Sequence, residues 1–499
     1  MTSAPVSCPS PFNLAAYVLT AGLSTPEKAA LCVLSPDGAE VMRYADLRQR
    51  ILGTATGLLQ NGLRVGDRVL MRLGNTPDFP VTYLGAIAAG LVPIPTSSQL
   101  TATEATAIAR ETSPALVVAS PDVALPDHPA PVLSLDVLRG FANLPPADFA
   151  MGDPDRPAYI IYTSGTGGQP RAVVHAHRAI WARRMMWDGW YGLTASDRLL
   201  HAGAFNWTYT LGTGLMDPWA IGATALIPAA GTKPTEIPAL MLTHGATIFA
   251  AAPGVYRQML RARIPALPAL RHGLSAGEKL PATIAAAWHS ATGTVIHEAY
   301  GMSECSTFVS GSPARPAPEG SLGFAQDGRR ISLRQNGAES DPGVIAVHRS
   351  DPGLMLGYMG QPEETAARFD GDWFLTGDIG HRTADGAIAY QGRADDMMNA
   401  GGYRVSPIEV EAALATHPEV QEAAATEVTV KDGVSVIAAF YTAAAPVPDE
   451  ALAAHAAAVL SRYKCPRLYV HVDALPRGAN NKLLRRVLRQ NWEADHGQA

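Results

Sequence analysis

The stretch YIIYTSGTGGQPRAV, residues Tyr159–Val173, is the part of this chain that decides its fold and its chemistry. An apolar run, Tyr159–Tyr162, leads into hydroxyl residues and glycines, and Pro170 and Arg171 follow. Glycine adopts positive φ angles without steric cost, so this segment can turn successive N–H groups inward into an anion-binding nest. Arg171 adds a planar cation that suits phosphate oxygens. The stretch therefore predicts a strand followed by a polyphosphate-binding loop, with a flexible surface loop as the alternative.

The composition is that of an ordinary soluble protein with two or more domains. The chain has 499 residues, of which 47% are hydrophobic and 17% charged, and its net charge is −6. No strongly basic field exists, which argues against nucleic acid as a partner. The longest apolar run, Val81–Pro95, is too short to cross a bilayer, and the N-terminus shows no secretory signal pattern. Because the four cysteines are scattered, as in a reducing compartment, we expect a cytoplasmic protein without a membrane span.

Strand-like and helix-like patterns alternate before Gly392. Apolar spacing predicts a helix over Tyr44–Leu63, a buried helix over Phe79–Ala89 and a strand over Val92–Pro95, with an irregular Pro-rich connection over Pro121–Pro157. This alternation predicts an α/β fold with a mainly parallel, doubly wound sheet and helices on both faces.

After Gly392 the pattern changes and predicts a compact α+β unit of about one hundred residues. Ser406 and Pro407 mark the start of one helix, and a basic helix begins at about Lys482. We expect the basic residues of this segment to form a solvated face; they are Lys482, Arg485, Arg486 and Arg489.

Four further segments contain residue types that suit nucleotide chemistry, although an ordinary turn would explain each one by itself. In Glu298–Ser306, EAYGMSECS, Tyr300 offers a flat ring for a base and Glu304 offers a hard carboxylate for hydrated Mg²⁺. In Trp373–Ile379, WFLTGDI, Asp378 can accept hydrogen bonds from ribose hydroxyls. The other two segments are GLSAGEKLP, Gly273–Pro281, and LPRGANNKLLR, Leu475–Arg485.

These five segments, in this order, resemble the motifs of the acyl-adenylate-forming superfamily, which contains acyl-CoA synthetases, peptide-synthetase adenylation domains and luciferases. The run AGLVPIP, Ala89–Pro95, adds to the resemblance. The chain departs from the usual pattern at Gly167, Arg171, Ser303 and Asn481. The resemblance implies a large N-terminal AMP-binding domain, residues 1–394, of doubly wound sheets with a distorted β-barrel part. It also implies a small, mobile α+β C-terminal domain, residues 395–499.

The resemblance further implies roles for individual residues. The phosphates would be held by Thr163, Ser164, Gly165, Thr166, Gly168 and Arg171, and the adenine by Gly277, Glu278, Lys279 and Tyr300. Ser303 would bind the α-phosphate, Glu304 would ligate Mg²⁺, and Asp378 and Arg393 would hold the ribose. Lys482 would bridge the substrate carboxylate and the α-phosphate, Asp395 would be the hinge, and Gly402 and Arg404 would meet the pantetheine arm and a phosphate of CoA. The acyl pocket would involve Trp207, Tyr209, Gly212, Gly254 and Cys305. Of all these residues, Lys482, Glu304, Ser303 and Arg171 would be catalytic.

The implied function is that of an ATP-dependent carboxylate–CoA ligase, which forms an acyl-adenylate and then an acyl-CoA thioester with release of pyrophosphate and AMP. ATP, Mg²⁺ and CoA are the implied cofactors. The stretches that begin at Ala251 and Leu270 look like the benzoate and medium-chain acyl-CoA ligase branch, so we expect an aromatic or a short- to medium-chain carboxylic acid as substrate.

Two alternatives stay open. The first is an adenylating enzyme that loads a carrier protein in trans, which is less favoured because no carrier domain follows Ala499. The second is a nucleotide-binding protein without activity, suggested by the departures at Gly167, Arg171 and Asn481. A homodimer is suggested by similar proteins alone.

Overall fold

The computed structural model describes residues 6–163, 170–394, 396–400, 403–431, 434–478 and 483–496. Its contacts divide the chain into two compact units, Met1–Arg330 with Val347–Phe374 and Ile331–Ala346 with Leu375–Ala499. The sequence analysis placed the domain boundary later, between residues 394 and 395. The contact division falls earlier because strand Trp373–Arg382 pairs with strand Ile388–Arg393. The predicted boundary concerns a hinge rather than contacts, and it stays a prediction.

A nine-stranded sheet forms the centre of the first unit. Its central strands are parallel, and antiparallel strands close both edges. The parallel strands are buried on both faces, which explains why they read as continuous apolar runs rather than as alternating patterns. From one edge to the other the strands are Phe324–Ala325, Ser306–Ser310, Ile296–Met302, His272–Ala276, Ile248–Ala250, Arg198–His201, Thr224–Pro228, Ala29–Ser35 and Gly38–Arg43.

A second sheet in the first unit contains four parallel strands. In order across the sheet they are Val92–Pro95, Arg68–Arg72, Leu116–Ala119 and Val132–Ser134. The predicted helices are present as Tyr44–Gln60 and Asp78–Ala88, and the predicted strand Val92–Pro95 has the expected bounds. One expectation was wrong, because the Pro-rich connection contains strand Val132–Ser134 and helix Leu135–Gly140. The strand is stabilised by parallel pairing with Val117–Ala119, which its own short sequence does not reveal.

The remaining helices of the first unit pack around these sheets. They are Leu14–Thr20, Ala102–Thr112, Ala179–Ala182, Thr208–Leu211, Asp217–Ile221, Ile237–Thr243, Pro253–Met259, Ala282–Thr292 and Pro362–Ala367. A π-helical turn, Gly212–Met216, joins Thr208–Leu211 to Asp217–Ile221. Such turns inside a helix are frequent at functional sites.

A third, antiparallel sheet contains the stretch Tyr159–Val173. Its strands, in order, are Gly357–Tyr358, Arg171–Ala176 and Pro157–Thr163. Thr163 and Arg171 are cross-strand partners, so residues 164–170 connect the two strands of a hairpin. The predicted strand before the loop is thereby confirmed.

The second unit contains several β-sheets and three α-helices among the described residues. Strands Glu422–Lys431 and Val434–Thr442 are antiparallel, and Leu468–His471 adds to them in parallel. Strands Met398–Ala400 and Tyr403–Val405 form a short pair. The other strands that lie wholly or mostly in this unit are Ile331–Gln335, Ala338–Glu339, Gly343–His348, Trp373–Arg382 and Ile388–Arg393, and the helices are Pro407–Leu414, Asp449–Val459 and Arg485–His496. Strand Phe369–Asp370 lies in the first unit.

The architecture confirms the predicted fold class. A large α/β unit with doubly wound sheets is accompanied by a half-barrel-like sheet and a smaller α+β unit. Among the described residues, no helix is both long enough and apolar enough to cross a membrane.

Candidate functional site

Glu304, Tyr358 and Arg171 converge beside the hairpin that carries the glycine-rich loop. The hydroxyl of Tyr358 donates a hydrogen bond to Oε1 of Glu304 at 2.8 Å. The guanidinium carbon of Arg171 lies 5.2 Å from the centre of the Tyr358 ring. Burial and the Glu304 carboxylate both raise the pKa of Tyr358, so the phenol keeps its proton and remains a donor. A carboxylate and a guanidinium therefore flank one aromatic ring. The sequence analysis assigned Arg171 to the phosphates and Glu304 to Mg²⁺, roles that stay predictions, and it did not include Tyr358.

Arg171 has a second partner that the sequence analysis did not anticipate. Its guanidinium forms an ion pair with Glu364, in helix Pro362–Ala367. Of the predicted phosphate-binding residues, Thr163 ends its strand opposite Arg171. Four others lie outside the described residues: Ser164, Gly165, Thr166 and Gly168.

The predicted adenine-binding residues lie at the carboxyl ends of neighbouring parallel strands, the edge at which ligands bind in such sheets. Gly277 follows strand His272–Ala276 with φ +97°, and a Cβ there would meet the ring of Trp207 at 2.6 Å. Lys279 donates to Oε2 of the buried Glu298 at 2.8 Å, and burial raises the pKa of Glu298. Tyr300 packs edge-on against Phe308, with ring centres 5.3 Å apart. Glu278 lies between Gly277 and Lys279 and is half-buried.

Ser303 and Cys305 flank Glu304 and contact different partners. The backbone carbonyl of Ser303 accepts a hydrogen bond from Nε2 of His175 at 2.7 Å. The thiol of Cys305 lies 3.8 Å from Oδ1 of Asp351, which forms a fully buried ion pair with Arg329. Burial and the Asp351 carboxylate raise the pKa of this thiol well above its usual range. The thiol is therefore directed at the ion pair, and a place for Cys305 in the acyl pocket stays a prediction.

Three of the predicted acyl-pocket residues cluster around one helix. The rings of Trp207 and Tyr209 meet edge-on at 5.5 Å, and the Tyr209 hydroxyl donates to the carbonyl of Leu274 at 3.2 Å. Gly212 has no side chain, and the guanidinium of Arg183 fills the space in which its Cβ would lie. Gly254 belongs to a different element, helix Pro253–Met259, which begins after the strand beside Leu274.

The ribose residues expected from the sequence are neighbours in the second unit. Asp378 and Arg393 are cross-strand partners, and their side chains approach to 3.5 Å. The hydroxyl of Tyr390 lies 3.4 Å from Oδ1 of Asp378. Gly377 has φ +83°, and a Cβ at this position would meet the Arg393 guanidinium at 3.0 Å. Because the turn at Gly377 admits the guanidinium beside Asp378, the two predicted residues do come together.

Four predicted residues of the second unit remain, and the structure describes one of them, Arg404. Lys482, Asp395 and Gly402 are outside the described residues. Arg404 belongs to strand Tyr403–Val405, where it pairs with Asn399.

The expectation of a solvated basic face was wrong for Arg485. It makes a bidentate ion pair with the carboxylate of Glu411 at 2.7 Å and approaches Asp396 at 3.4 Å. Helical spacing groups the basic residues on one face, but it does not show that another helix covers that face. Ser406 precedes its helix as predicted, but its hydroxyl donates to the carbonyl of Gln391 instead of capping the helix.

Among the described residues, no group of three or more His, Cys, Asp or Glu side chains could hold a metal ion. An Mg²⁺ ion bound at Glu304, as predicted from the sequence, would have this residue as a single carboxylate ligand. That arrangement fits the ion, which usually keeps several waters and binds one or two carboxylates together with substrate phosphates.

Comparison with known proteins decides the family. The model of the AMP-binding enzyme family matches residues 20–359, and that of the AMP-binding enzyme C-terminal domain matches residues 409–482. The chain is an AMP-binding enzyme. The assignment made from the five sequence segments is thereby confirmed.

Similar proteins agree in sequence and in structure with this AMP-binding enzyme. The chain is 30% identical to the 3-hydroxybenzoate–CoA ligase of Aromatoleum sp. (strain CIB), over 92% of this chain and 93% of that protein. It is 32% identical to the benzoate–CoA ligase of Thauera aromatica, over 91% of each. The crystal structure of ATP-bound MatB from Rhodopseudomonas palustris superimposes with a TM-score of 0.88 at 26% identity, covering 97% of this chain and 99% of that one.

These relationships confirm the predicted enzyme class. This AMP-binding enzyme is an AMP-forming acid–thiol ligase, which joins a carboxylic acid to CoA by way of an acyl-adenylate. ATP and CoA are its substrates. Loading of a carrier protein is not favoured, and a protein without activity is not supported.

Sequence reasoning missed several residues of this AMP-binding enzyme that touch the expected site. Tyr358 and Glu364 reach Glu304 and Arg171 from a distant part of the chain, and Arg183 reaches Gly212 from another helix. These three residues belong to none of the five motif segments, so a single sequence gave no reason to assign them to the site. Glu298 could have been included, because it begins the quoted segment EAYGMSECS. Its carboxylate accepts a hydrogen bond from Lys279, which was predicted.

Proposed function

We propose that this enzyme activates an aromatic carboxylic acid of the benzoate class and transfers it to CoA. The observation that carries the proposal is the convergence of Glu304 and Arg171 on Tyr358 beside the hairpin loop, because it offers one carboxylate and one cation to a metal–phosphate group. Support for the substrate class comes from the relatives, which act on benzoate and 3-hydroxybenzoate. A short- to medium-chain aliphatic acid is the second candidate, favoured by the 29% identity to a human relative that is named as an acyl-coenzyme A synthetase, ACSM2A.

In the first half-reaction, a carboxylate oxygen attacks the α-phosphorus of ATP. The new bond joins that oxygen to phosphorus, and the bond from the α-phosphorus to the bridging oxygen breaks, so that pyrophosphate leaves with the electron pair. Two anions must meet, and catalysis is therefore mainly positioning and charge neutralisation. In this proposal Lys482 lies between the carboxylate and the α-phosphate, while Arg171 and the hydroxyls of Thr163, Ser164 and Thr166 hold the outer phosphates.

The other nucleotide contacts follow the sequence analysis. Tyr300 stacks on the adenine, with Gly277, Glu278 and Lys279 around it. Gly165 and Gly168 give the phosphate loop its inward N–H groups, Ser303 binds the α-phosphate, and Asp378 and Arg393 hold the ribose. The side-by-side placement of Asp378 and Arg393 supports a joint role for this pair.

Glu304 is the residue proposed to hold Mg²⁺. Its carboxylate is buried and held in place by the Tyr358 hydroxyl, and a fixed carboxylate oxygen is the donor type that this ion prefers. When bound, the ion neutralises charge on the phosphates. The contribution of the chain is to keep that carboxylate oriented.

In the second half-reaction, the thiol of CoA attacks the carbonyl carbon of the acyl-adenylate. The carbon–sulfur bond forms, the bond from carbon to the phosphate oxygen breaks, AMP leaves, and the thiol proton passes to solvent. We propose that the domain from residue 395 onward turns about Asp395 between the two steps, and that Gly402 and Arg404 meet the pantetheine arm and a phosphate of CoA. A cytoplasmic location and a homodimer belong to the same proposal; the four unpaired cysteines support the former.

A substrate panel tests the proposal. Purified enzyme is given ATP and Mg²⁺ with benzoate, hexanoate, octanoate or acetate, and pyrophosphate and AMP are measured with and without CoA. We expect benzoate to have the highest kcat/KM and AMP to accumulate over many turnovers only with CoA. If only the aliphatic acids yield pyrophosphate, the second candidate replaces the aromatic substrate. If none of the acids yields pyrophosphate, the proposal is contradicted.

A further inference from the structure

A fully buried ion pair lies beside Glu304 in the first unit. It joins Arg329 to Asp351, and both side chains are 0% exposed. Neither residue belongs to the five motif segments, and the two are 22 positions apart in the sequence. Two stretches of chain meet at this pair: residues 303–307, called the Glu304 segment, and residues 351–358, called the Tyr358 segment.

Arg329 binds the Glu304 segment. Its Nη2 donates a hydrogen bond to the carbonyl oxygen of Thr307 at 3.1 Å, and its Nη1 lies 4.0 Å from the thiol sulfur of Cys305. Cys305 follows Glu304 directly, and Thr307 stands two residues further on. The guanidinium therefore fixes the backbone on the carboxyl-terminal side of Glu304.

The Tyr358 segment begins at Asp351 and contacts Glu304 at two further points. Oδ1 of Asp351 accepts a hydrogen bond from the backbone N–H of Gly353 at 2.7 Å, which fixes the turn at the start of the segment. The N–H of Met355 donates to the carbonyl oxygen of Glu304 at 2.7 Å, and the hydroxyl of Tyr358 donates to the Glu304 carboxylate at 2.8 Å. The backbone and the side chain of Glu304 are thus both held by one segment, whose first residue is the buried aspartate.

The two segments pack closely around the ion pair. A Cβ at Gly353 would meet Nη1 of Arg329 at 2.8 Å and the carbonyl oxygen of Cys305 at 3.0 Å. Contacts as short as these leave no room for a side chain, so glycine allows the backbone of one segment to approach the other. Because backbone atoms enclose the pair on this side, a shift of either charged side chain would displace a segment.

The energetics of the pair favour a role in orientation over a role in stability. Removal of two charges from water is costly, and apolar residues of similar size often replace a buried ion pair without loss of stability. Within the described part of the chain, Nε of Arg329 and Oδ2 of Asp351 have no hydrogen-bond partner, which adds to that cost. A fixed geometry matters around a metal ligand, since loss of the groups that orient a ligand typically lowers metal affinity about 10- to 100-fold.

We propose that Arg329 and Asp351 are positioning residues for the proposed Mg²⁺ ligand, Glu304. Their ion pair joins the Glu304 segment to the Tyr358 segment and so keeps the carboxylate in the orientation that binds the metal of MgATP. The inference rests on the proposed function, in which Glu304 holds Mg²⁺, and it adds the residues that prepare this ligand. Both residues act through Glu304, and neither contacts ATP or the acid in this proposal.

Calorimetric titration with ATP, in the absence of a carboxylic acid, tests the role of the pair without turnover. The dissociation constant of ATP is measured in EDTA and in Mg²⁺, and the first constant divided by the second gives the contribution of the metal to binding. Arg329→Lys keeps the positive charge but loses the fork that serves Asp351 and Thr307 together, and Asp351→Asn removes the negative charge. We expect this ratio to fall about tenfold in each variant, while the constant in EDTA stays within about twofold of the wild type. Glu304→Gln is the reference and should lower the ratio at least as much.

Arg271→Lys is the matched control in the same unit. The Arg271 guanidinium donates to the buried Asp197 at 2.7 Å and to the carbonyl oxygen of Gly192 at 2.9 Å, so it too serves one carboxylate and one carbonyl. Arg271 directly precedes strand His272–Ala276, whereas the predicted adenine-binding residue Gly277 directly follows it. The control thus lies at the end of the strand opposite to the expected site, and its ratio should equal that of the wild type.

The outcomes separate orientation of Glu304 from a structural role of the pair. If both dissociation constants rise by the same factor in Arg329→Lys and Asp351→Asn, the pair serves the fold and the inference is overturned. If urea unfolding shows that one variant does not fold, the other decides, and failure of both to fold overturns the inference. A ratio that is unchanged in both variants but lowered in Glu304→Gln overturns the inference and leaves the proposed function intact. If Glu304→Gln leaves the ratio unchanged, Glu304 does not hold the metal, and the inference is overturned together with that part of the proposed function.

Discussion

Each unit contains one arginine–carboxylate pair whose arginine is proposed to contact ATP, and the two pairs are built differently. In the second unit, Arg393 and Asp378 stand 15 residues apart on one hairpin, and the sequence predicted both as ligand contacts. In the first unit, Arg171 is predicted to meet phosphate, but Glu364 reaches it from a helix far along the chain. The carboxylate beside Arg393 is itself a proposed ligand contact, whereas the carboxylate beside Arg171 would compete with the phosphates for that arginine in the proposed complex. Under the proposed function, the pair Arg393–Asp378 would prepare a site, and the pair Arg171–Glu364 would restrain one.

The largest effect is expected from Lys482→Ala in the second unit. Removal of the cation proposed to bridge carboxylate and α-phosphate should lower the rate of pyrophosphate formation about 10³-fold. Thioester formation from supplied acyl-adenylate and CoA should stay within a few-fold of the wild type. Rapid-quench measurement of both half-reactions checks this separation.

Lys464→Ala is the control for that variant, because Lys464 belongs to the same unit and its ammonium pairs with Glu409 at the surface. It should leave both half-reactions unchanged. Pyrophosphate formation at the wild-type rate in Lys482→Ala would show that the second unit does not supply the cation.

Local patterns allowed much of the fold to be predicted, and they also explain why Asp378 and Arg393 are neighbours. Helix Asp78–Ala88 and strand Val92–Pro95 have clear apolar runs, and Asp378 and Arg393 are joined by a short hairpin. Tyr358 could not be assigned to Glu304 in the same way, because their contact requires the edge strand Gly357–Tyr358 to join a separate hairpin. Sequence periodicity indicates which face of an element is buried, but not which distant element covers it.

The buried histidines of the first unit predict an acid-sensitive stability. Burial lowers the pKa of His201 from 6.5 to about 3, and neither of its ring nitrogens has a hydrogen-bond partner. Because folding lowers this pKa, the unfolded chain takes up the proton first as the pH falls below about 6.5. The stabilisation is complete above that value and is lost as the pH falls toward about 3. At pH 5 the loss from this histidine is about 2 kcal/mol, roughly a 30-fold change in the unfolding equilibrium.

His201→Leu should therefore reduce the decline of the unfolding free energy between pH 7 and pH 5 by about 2 kcal/mol. Urea unfolding followed by tryptophan fluorescence reports mainly on the first unit, because Trp492 is the one tryptophan outside it. His289→Leu, at an exposed ring, is the control and should keep the wild-type slope. An unchanged slope in His201→Leu would mean that this histidine is not held neutral by burial.

Asp378→Asn tests the pair that prepares the site. The substitution removes the negative charge that faces both Arg393 and the proposed ribose hydroxyls, so KM for ATP should rise about 20-fold while KM for the acid changes little. Asp385→Asn, on an exposed turn of the same unit, should leave KM for ATP unchanged. Equal changes in the two Michaelis constants would argue against a ribose contact.

Tyr358→Phe measures how firmly the first unit holds its carboxylate. Loss of the 2.8 Å hydrogen bond frees Glu304, and the Mg²⁺ concentration for half-maximal rate should rise about tenfold. Tyr390→Phe is the corresponding change in the second unit, where the hydroxyl lies 3.4 Å from Asp378. At that distance the bond is weak, and the expected rise in KM for ATP is about twofold. A larger effect at Tyr390 than at Tyr358 would reverse the comparison between the units.

Glu364→Gln should have the smallest effect and the opposite sign. The ion pair between Arg171 and Glu364 is partly exposed, so its loss changes the free energy by about 0.5–1 kcal/mol. Arg171 then does not have to break an ion pair with Glu364 before it binds phosphate, so KM for ATP should fall about threefold. Initial rates of pyrophosphate release at saturating acid give this KM. Glu363→Gln removes a neighbouring exposed carboxylate from the same first helical turn and should leave KM unchanged. A rise in KM for Glu364→Gln would mean that Glu364 orients Arg171 toward the phosphates, and both arginine–carboxylate pairs would then prepare their sites in the same way.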